Sequence, residues 1–167
     1  MERSRRSNTP LSIAMIDVDY FKRINDELGH QVGNQALEKL AEILVDNVRK
    51  IDFACRYGGE EFTLILPGVR LPPAVRVAER LSESVENAPL RVTDESGEER
   101  EVTITASVGV DEYRSDDVLS PQEFLERADR YLLKAKADGR NRVCHSLEAR
   151  RDGSRGLNRE ERKALRL

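Results

Sequence analysis

Leu11-Ser-Ile-Ala-Met-Ile16 is a continuous apolar run that ends in Asp17-Val-Asp19, the pattern of a buried strand with acids at its C-terminal end. Ala36, Leu37, Leu40, Ala41, Leu44 and Val48 then recur at helical spacing and predict an amphipathic helix over residues 34–50. Two short apolar runs, Phe53-Ala-Cys55 and Phe62-Thr-Leu-Ile-Leu66, flank Arg56-Tyr-Gly-Gly-Glu-Glu61. The paired glycines make a tight turn easy, so a hairpin is expected there. Pro72-Pro73 open a second helix with Ala74, Ala78, Leu81 and Val85 on one face and Pro89 beyond its end. A polar loop at 94–98 separates Leu90-Arg-Val-Thr93 from a segment in which Val102, Ile104, Ala106, Val108 and Val110 alternate with mostly polar neighbours. That alternation predicts a strand over 102–110 with one covered face. Ser120-Pro-Gln-Glu123 is a capping box with proline in the first helical position. Its helix carries Phe124, Leu125, Ala128, Leu132 and Ala135 and stops at Gly139, before a short strand over Asn141-Arg-Val-Cys144.

The order is strand, helix, hairpin, helix, hairpin, helix, strand. Short turns force antiparallel neighbours, so the expected class is α+β, with a single mixed, mainly antiparallel sheet flanked by helices. At 167 residues, with 38% hydrophobic and 35% charged content, the chain suits one domain with a real core. We expect the end of a truncated N-terminal helix at 1–9, the domain itself at 10–147 and a charged tail at 148–167, where Arg and Glu outnumber core candidates. A net charge of −3 gives no global argument for a nucleic-acid polymer or for direct membrane contact. No apolar run approaches the ~18–20 residues needed to cross a bilayer, and no signal peptide opens the chain. Cys55 and Cys144 fit neither a zinc site nor a disulfide framework, so a reducing, cytoplasmic compartment is expected.

Chemistry enters with the acids. In a βαββ unit the first strand and the hairpin are near neighbours, so Asp17 and Asp19 can meet Glu60 and Glu61 at one sheet edge. Hard divalent cations take oxygen ligands, one or two carboxylates plus substrate phosphates. Spacing leaves two readings open: solvated acids at strand ends, or a metal site. An EF-hand is excluded, since its sixth loop position would be Lys22 and its twelfth Leu28. Walker and Rossmann glycine loops are absent as well. Between Phe21 and His30, backbone amides beside Lys22 offer a phosphate cradle. Asn25, with donor and acceptor on one amide, offers the equipment for reading a base edge or for a turn before Gly29.

Taken together, Ile16-Asp-Val-Asp-Tyr-Phe-Lys-Arg-Ile-Asn-Asp-Glu-Leu-Gly-His30, Gly33-Asn34, Arg56-Tyr-Gly-Gly-Glu-Glu-Phe62 and Ala135-Lys-Ala-Asp-Gly-Arg-Asn141 resemble the GGDEF family of bacterial diguanylate cyclases, in its GGEEF form. The resemblance runs in one order over roughly Pro10 to Val143. It implies a nucleotidyl cyclase/polymerase palm with a ferredoxin-like βαββαβ core, and a catalytic domain at 10–147 that joins two GTP into cyclic di-GMP and releases two pyrophosphates. It also implies Mg²⁺ or Mn²⁺, two per active half-site. Asp17, the main-chain carbonyl of Val18, Glu60 and Glu61 are then metal ligands, and Glu60 is also the candidate to deprotonate the 3′-hydroxyl. Phe21 and Lys22 lie against the triphosphate, Lys136 and Arg140 supply positive charge, Asn25 reads guanine, and Gly58 and Gly59 leave room for the nucleotide.

The resemblance carries further expectations. Arg49-Lys-Ile-Asp52 matches the family's RxxD inhibitory site for cyclic di-GMP, with Arg80 as a second product-binding arginine; on local grounds Arg49 and Asp52 are also a simple ion pair at a helix end. After Gly33 the family most often has aspartate, and here Asn34 stands instead. An amide has one acceptor oxygen, so retained preference for GTP with relaxed rejection of ATP is expected, by roughly 1–2 kcal/mol if the contact is buried. Each subunit of the family binds one GTP, which implies a homodimer. The family's opening Asp-x-Leu-Thr-x-Leu-x-Asn-Arg segment is not found, so a fragment or minimal domain, slow in isolation, is expected; a longer parent protein with a membrane anchor is compatible. A different class remains open: a catalytically weak receptor for GTP or cyclic di-GMP that uses only Arg49 and Asp52. Primer-directed nucleotidyl transfer shares the two-metal logic, but no basic groove supports it.

Overall fold

The computed structural model describes residues 1–93, 97–114 and 117–146; the tail expected at 148–167 lies outside them. A short helix α1 (Glu2–Ser7) leads into strand β1 (Leu11–Val18), followed by α2 (Phe21–Leu28) and α3 (His30–Asn47). A hairpin of β2 (Phe53–Gly58) and β3 (Glu61–Pro67) comes next, then α4 (Leu71–Glu86), β4 (Leu90–Thr93) and β5 (Glu99–Val102). The described chain closes with β6 (Ala106–Tyr113), α5 (Pro121–Ala137) and β7 (Val143–His145).

Five strands form one sheet in the order β2-β3-β1-β6-β7. All neighbours are antiparallel except β6 and β7, so the expected mixed, mainly antiparallel sheet is present. β4 and β5 pair with each other as a separate two-stranded ribbon.

The expected strand over 102–110 is two strands. β5 ends at Val102 and β6 begins at Ala106, and all eight residues of β6 are buried. The alternation was real, but the polar positions do not face water. Ser107 bonds Asp19, and Asp111 pairs with Arg127 at 2.6 Å. Gly109 lets α5 seat directly on the strand: a Cβ there would lie 2.1 Å from the Leu132 backbone nitrogen. β6 therefore lies between two helix layers. The larger core, including Ile16, Leu40, Leu44, Leu64, Leu66 and Leu81, packs the sheet against α3 and α4. A smaller cluster on the other face joins Leu11, Ile13 and Met15 to Phe124 and Leu132 of α5, with the Tyr113 and Phe124 rings 5.8 Å apart edge to face. Burial of each large side chain contributes about 1.5–3 kcal/mol.

α2 is a helix where only an exposed cradle was expected. Phe21, Ile24 and Leu28 recur at helical spacing and pack against the core, but the element is only eight residues long and has no fully buried position. The helix expected over 34–50 starts four residues earlier and ends at Asn47, because Val48 is extended. The sequence 49–52 therefore forms a turn outside the helix. At α4 the two prolines stand at the start, and at α5 the Ser120–Glu123 capping box is complete, both as predicted.

Candidate active site

The antiparallel register of β1 and β3 sets Asp17 directly opposite Glu61. The Val18 N–H donates to the Glu60 carbonyl at 3.4 Å, so the end of β1 and the glycine turn are stitched together. Within the turn Gly59 is left-handed, with φ 51°, and the Arg56 guanidinium donates to its carbonyl at 2.9 Å. A methyl group built on Gly58 or Gly59 meets nothing within 4 Å, which leaves open space above both.

Asp17 is 3% exposed, and Lys136 of α5 reaches it with an Nζ–Oδ2 distance of 2.7 Å. Burial is the largest influence on its carboxyl. Lys136 pulls the other way, and the nearby Glu60 and Glu61 charges push with burial, so the pKa rises to about 7. An acid raised by burial, with two further carboxylates beside it, is one for which added positive charge is favourable. The donor set here is all oxygen, the chemistry that Mg²⁺ and Mn²⁺ take. No three His, Cys, Asp or Glu side chains among the described residues gather closely enough to hold an ion unaided. Asp17, Glu60 and Glu61 would therefore hold a cation only with substrate oxygens completing its shell.

Asp19 does not join these acids. Its carboxylate accepts from Thr105 Oγ1 at 2.8 Å, Ser107 Oγ at 2.6 Å and the Asn141 N–H at 2.9 Å. This satisfied, buried acid ties β1 to β6 and to the turn after α5. Adjacent Tyr20 is left-handed (φ 55°) and precedes α2, whose first turn carries Phe21 and Lys22. Helix N-termini present unpaired N–H groups and partial positive charge, so the backbone amides expected beside Lys22 stand at a helix end. Across from it, the Arg140 guanidinium lies 4.5 Å from the Tyr20 ring centre. The spacing of acids gave no sign that Asp19 holds the Asn141 N–H or that Tyr20 stacks on Arg140; only the contacts across the sheet reveal it.

Beside the turn, a groove of about 300 Å³ between α3 and β2 is lined by Asn34, Leu37, Ala41, Arg56 and Phe62, among others. Asn25 approaches the same end of α3: a Cβ on Gly33 would lie 1.9 Å from Asn25 Oδ1. A side chain at Gly33, next to Asn34, would displace the Asn25 amide from its place where α2 meets α3.

At the far end of α3, Arg49 donates to both carboxylate oxygens of Asp52, at 3.0 and 2.7 Å, and to the Pro67 carbonyl at 3.0 Å. Arg80 of α4 donates to the Asn47 side chain at 3.2 Å and to its carbonyl at 2.9 Å. Arg49 and Arg80 thus stand exposed at one corner, with the Asp52 carboxylate covered beneath Arg49, apart from the acid edge.

The diguanylate cyclase GGDEF-domain family model matches residues 1–142. The chain belongs to the GGDEF family. The response regulator PleD of Caulobacter vibrioides is 41% identical over 143 residues, which is 86% of this chain and 31% of that protein. Diguanylate cyclase A of Treponema denticola is 42% identical, covering 81% of this chain and 35% of the relative. The chain spans about a third of the length of these curated relatives. Among solved structures, the GGDEF domain of DgcB from Caulobacter crescentus in complex with c-di-GMP superposes with a TM-score of 0.79 at 32% identity. It covers 86% of this chain and 82% of that one. The active GGEEF domain of a diguanylate cyclase from Vibrio cholerae gives 0.75 at 33% identity, over 86% and 87%.

Proposed function

We propose that this GGDEF domain is a diguanylate cyclase that condenses two GTP into cyclic di-GMP and two pyrophosphates between two copies of the chain facing each other. The observation that carries the proposal is the meeting of Asp17, the Glu60–Glu61 turn and Lys136 at the C-terminal end of the central strand β1, beside the N-terminus of α2. Relatives named diguanylate cyclases and a neighbour in complex with c-di-GMP support it.

Asp17, the Val18 carbonyl, Glu60 and Glu61 are the groups that would hold Mg²⁺ or Mn²⁺, two per half-site. When bound, the metal supplies charge neutralisation at the α-phosphate and favours the ionised 3′-oxygen. The chain's own residues do the rest. The first-turn amides at Phe21 and Lys22, with Lys136 and Arg140, bind the triphosphate and stabilise the departing pyrophosphate. Glu60 accepts the 3′-hydroxyl proton as that oxygen attacks the α-phosphorus of the GTP held by the other copy. Asn25 and Asn34 select guanine at the groove beside Phe62, and the empty space over Gly58 and Gly59 admits the nucleotide. Product returning to Arg49, Asp52 and Arg80 slows synthesis. No nucleic-acid polymer takes part, and no helix among the described residues is long and apolar enough to cross a membrane.

The test is a forced dimer, the chain fused to a coiled coil, incubated with GTP and Mg²⁺ and its product identified by chromatography. Cyclic di-GMP and pyrophosphate are expected. GTP left intact contradicts the proposal, and tight c-di-GMP binding with no turnover would favour a receptor instead.

A further inference from the structure

Three consecutive residues after α5 have left-handed backbone: Gly139 with φ 112°, Arg140 with φ 64° and Asn141 with φ 45°. Residues with a Cβ resist this conformation and keep it only where their surroundings impose it. Here three groups impose it. The Arg140 N–H returns to the Ala135 carbonyl at 2.9 Å and closes the helix end. The Asn141 N–H donates to Asp19 Oδ2 at 2.9 Å. The Arg140 guanidinium lies on the Tyr20 ring, and Tyr20 itself adopts a left-handed conformation.

Asp19 is a firm anchor. Thr105 and Ser107 donate to its carboxylate, and its own N–H donates to the Thr105 carbonyl at 2.9 Å, so its reference point is the centre of the sheet. Tyr20 adds orientation. A guanidinium stacked on a ring uses only its face, and the N–H donors around its edge stay available to an anion. Stacking thereby orients the arginine without consuming its donors.

We infer that Asp19 and Tyr20 are positioning residues that fix Arg140 against the first turn of α2, and so set the anion gap that receives the triphosphate. The inference rests on the nucleotide site proposed above. It concerns two residues that touch no substrate themselves. Tyr20 carries the test best, because at 56% exposure its replacement does not open the core.

The measurement is calorimetric affinity of the chain, with Mg²⁺, for the α,β-methylene analogue of GTP and, separately, for guanosine. Tyr20→Leu is expected to weaken analogue binding about three- to fivefold, the loss of one exposed cation–π contact. Tyr20→Phe, which keeps a ring, stays within about twofold of the parent. Guanosine affinity does not change, since it carries no phosphate. In an Arg140→Ala background, Tyr20→Leu has no further effect, because the contact it removes is already gone. Asp19→Ala follows the same cycle, and the exposed Tyr20 variants carry the decision if it does not fold. Equal analogue affinity for the parent and Tyr20→Leu overturns the inference, as does a loss that persists in the Arg140→Ala background. A parent chain that binds no analogue overturns the nucleotide site itself, and the inference with it.

Discussion

Two ion pairs of the same length, Lys136–Asp17 and Arg49–Asp52, both 2.7 Å, stand at different ends of the molecule and behave in opposite ways. At the acid edge both side chains are buried, at 6% and 5% exposure, and Asp17 rises to about 7. At the other corner Arg49 is 52% exposed while the Asp52 side chain is 3% exposed, so the two pairs differ in the cation rather than in the covering of the acid. Burial raises the Asp52 carboxyl, but the Arg49 guanidinium and backbone N–H together hold it below the usual carboxylate value. One lysine does not satisfy an acid that also faces Glu60 and Glu61. A forked guanidinium plus an amide does satisfy an acid with no such neighbours. The first pair leaves its acid open to added positive charge, and the second is a closed clasp of guanidinium, amide and carboxylate.

Chemistry separates the two regions most. Glu60→Gln in the forced dimer is expected to lower turnover at least about a hundredfold while leaving the fold intact. Arg49→Ala leaves turnover in place and removes the slowing caused by added cyclic di-GMP. Initial rates with and without product check both, and an Arg49→Ala variant still inhibited like the parent breaks the contrast.

Stability should separate them next. Lys136→Met removes a buried partner and costs up to about 3 kcal/mol, a loss that Asp17 limits by taking a proton. Arg49→Ala removes an exposed partner and costs about 1 kcal/mol or less. Urea denaturation of the three proteins reads the difference directly.

Their pH dependences should also have opposite signs. Asp17 has a folded pKa above its ordinary 3.8, so its contribution is fully present below 3.8 and is lost as pH rises toward about 7. Asp52 is lowered, so its contribution is present above 3.8 and is lost as pH falls through its folded value. A smaller effect sharpens the acid edge itself. Asn34→Asp restores a second acceptor at the base groove and should raise discrimination of GTP over ATP about tenfold, read from competition assays. Equal selectivity for the two proteins would remove Asn34 from base reading.

Local signals made much of this architecture legible. Prolines and a capping box start helices by blocking or satisfying specific N–H groups, so α4 and α5 could be located from a few residues. The β1 run and the glycine turn announced two neighbouring strands, and with them the meeting of Asp17 and Glu61. What stayed hidden depends on contacts distant in sequence. Ser107 and Gly109 read as polar neighbours on an open strand face because Asp19, which binds Ser107, and α5, which seats on Gly109, are distant in sequence. Asp17 and Asp19 sit on the same side of the strand pattern, yet Thr105, Ser107 and Asn141 claim the second. α2 escaped because Tyr20 offers no side-chain cap at its start.

Asp17 gives the most direct test. In the metal-free chain, carboxyl-carbon NMR should show Asp17 titrating near pH 7. Adding Mg²⁺ with the α,β-methylene analogue of GTP should move that titration well down while Asp52 does not shift. An Asp17 that titrates near 3.8 without metal, or that ignores Mg²⁺ and the analogue, would contradict the acid edge as the seat of phosphoryl transfer.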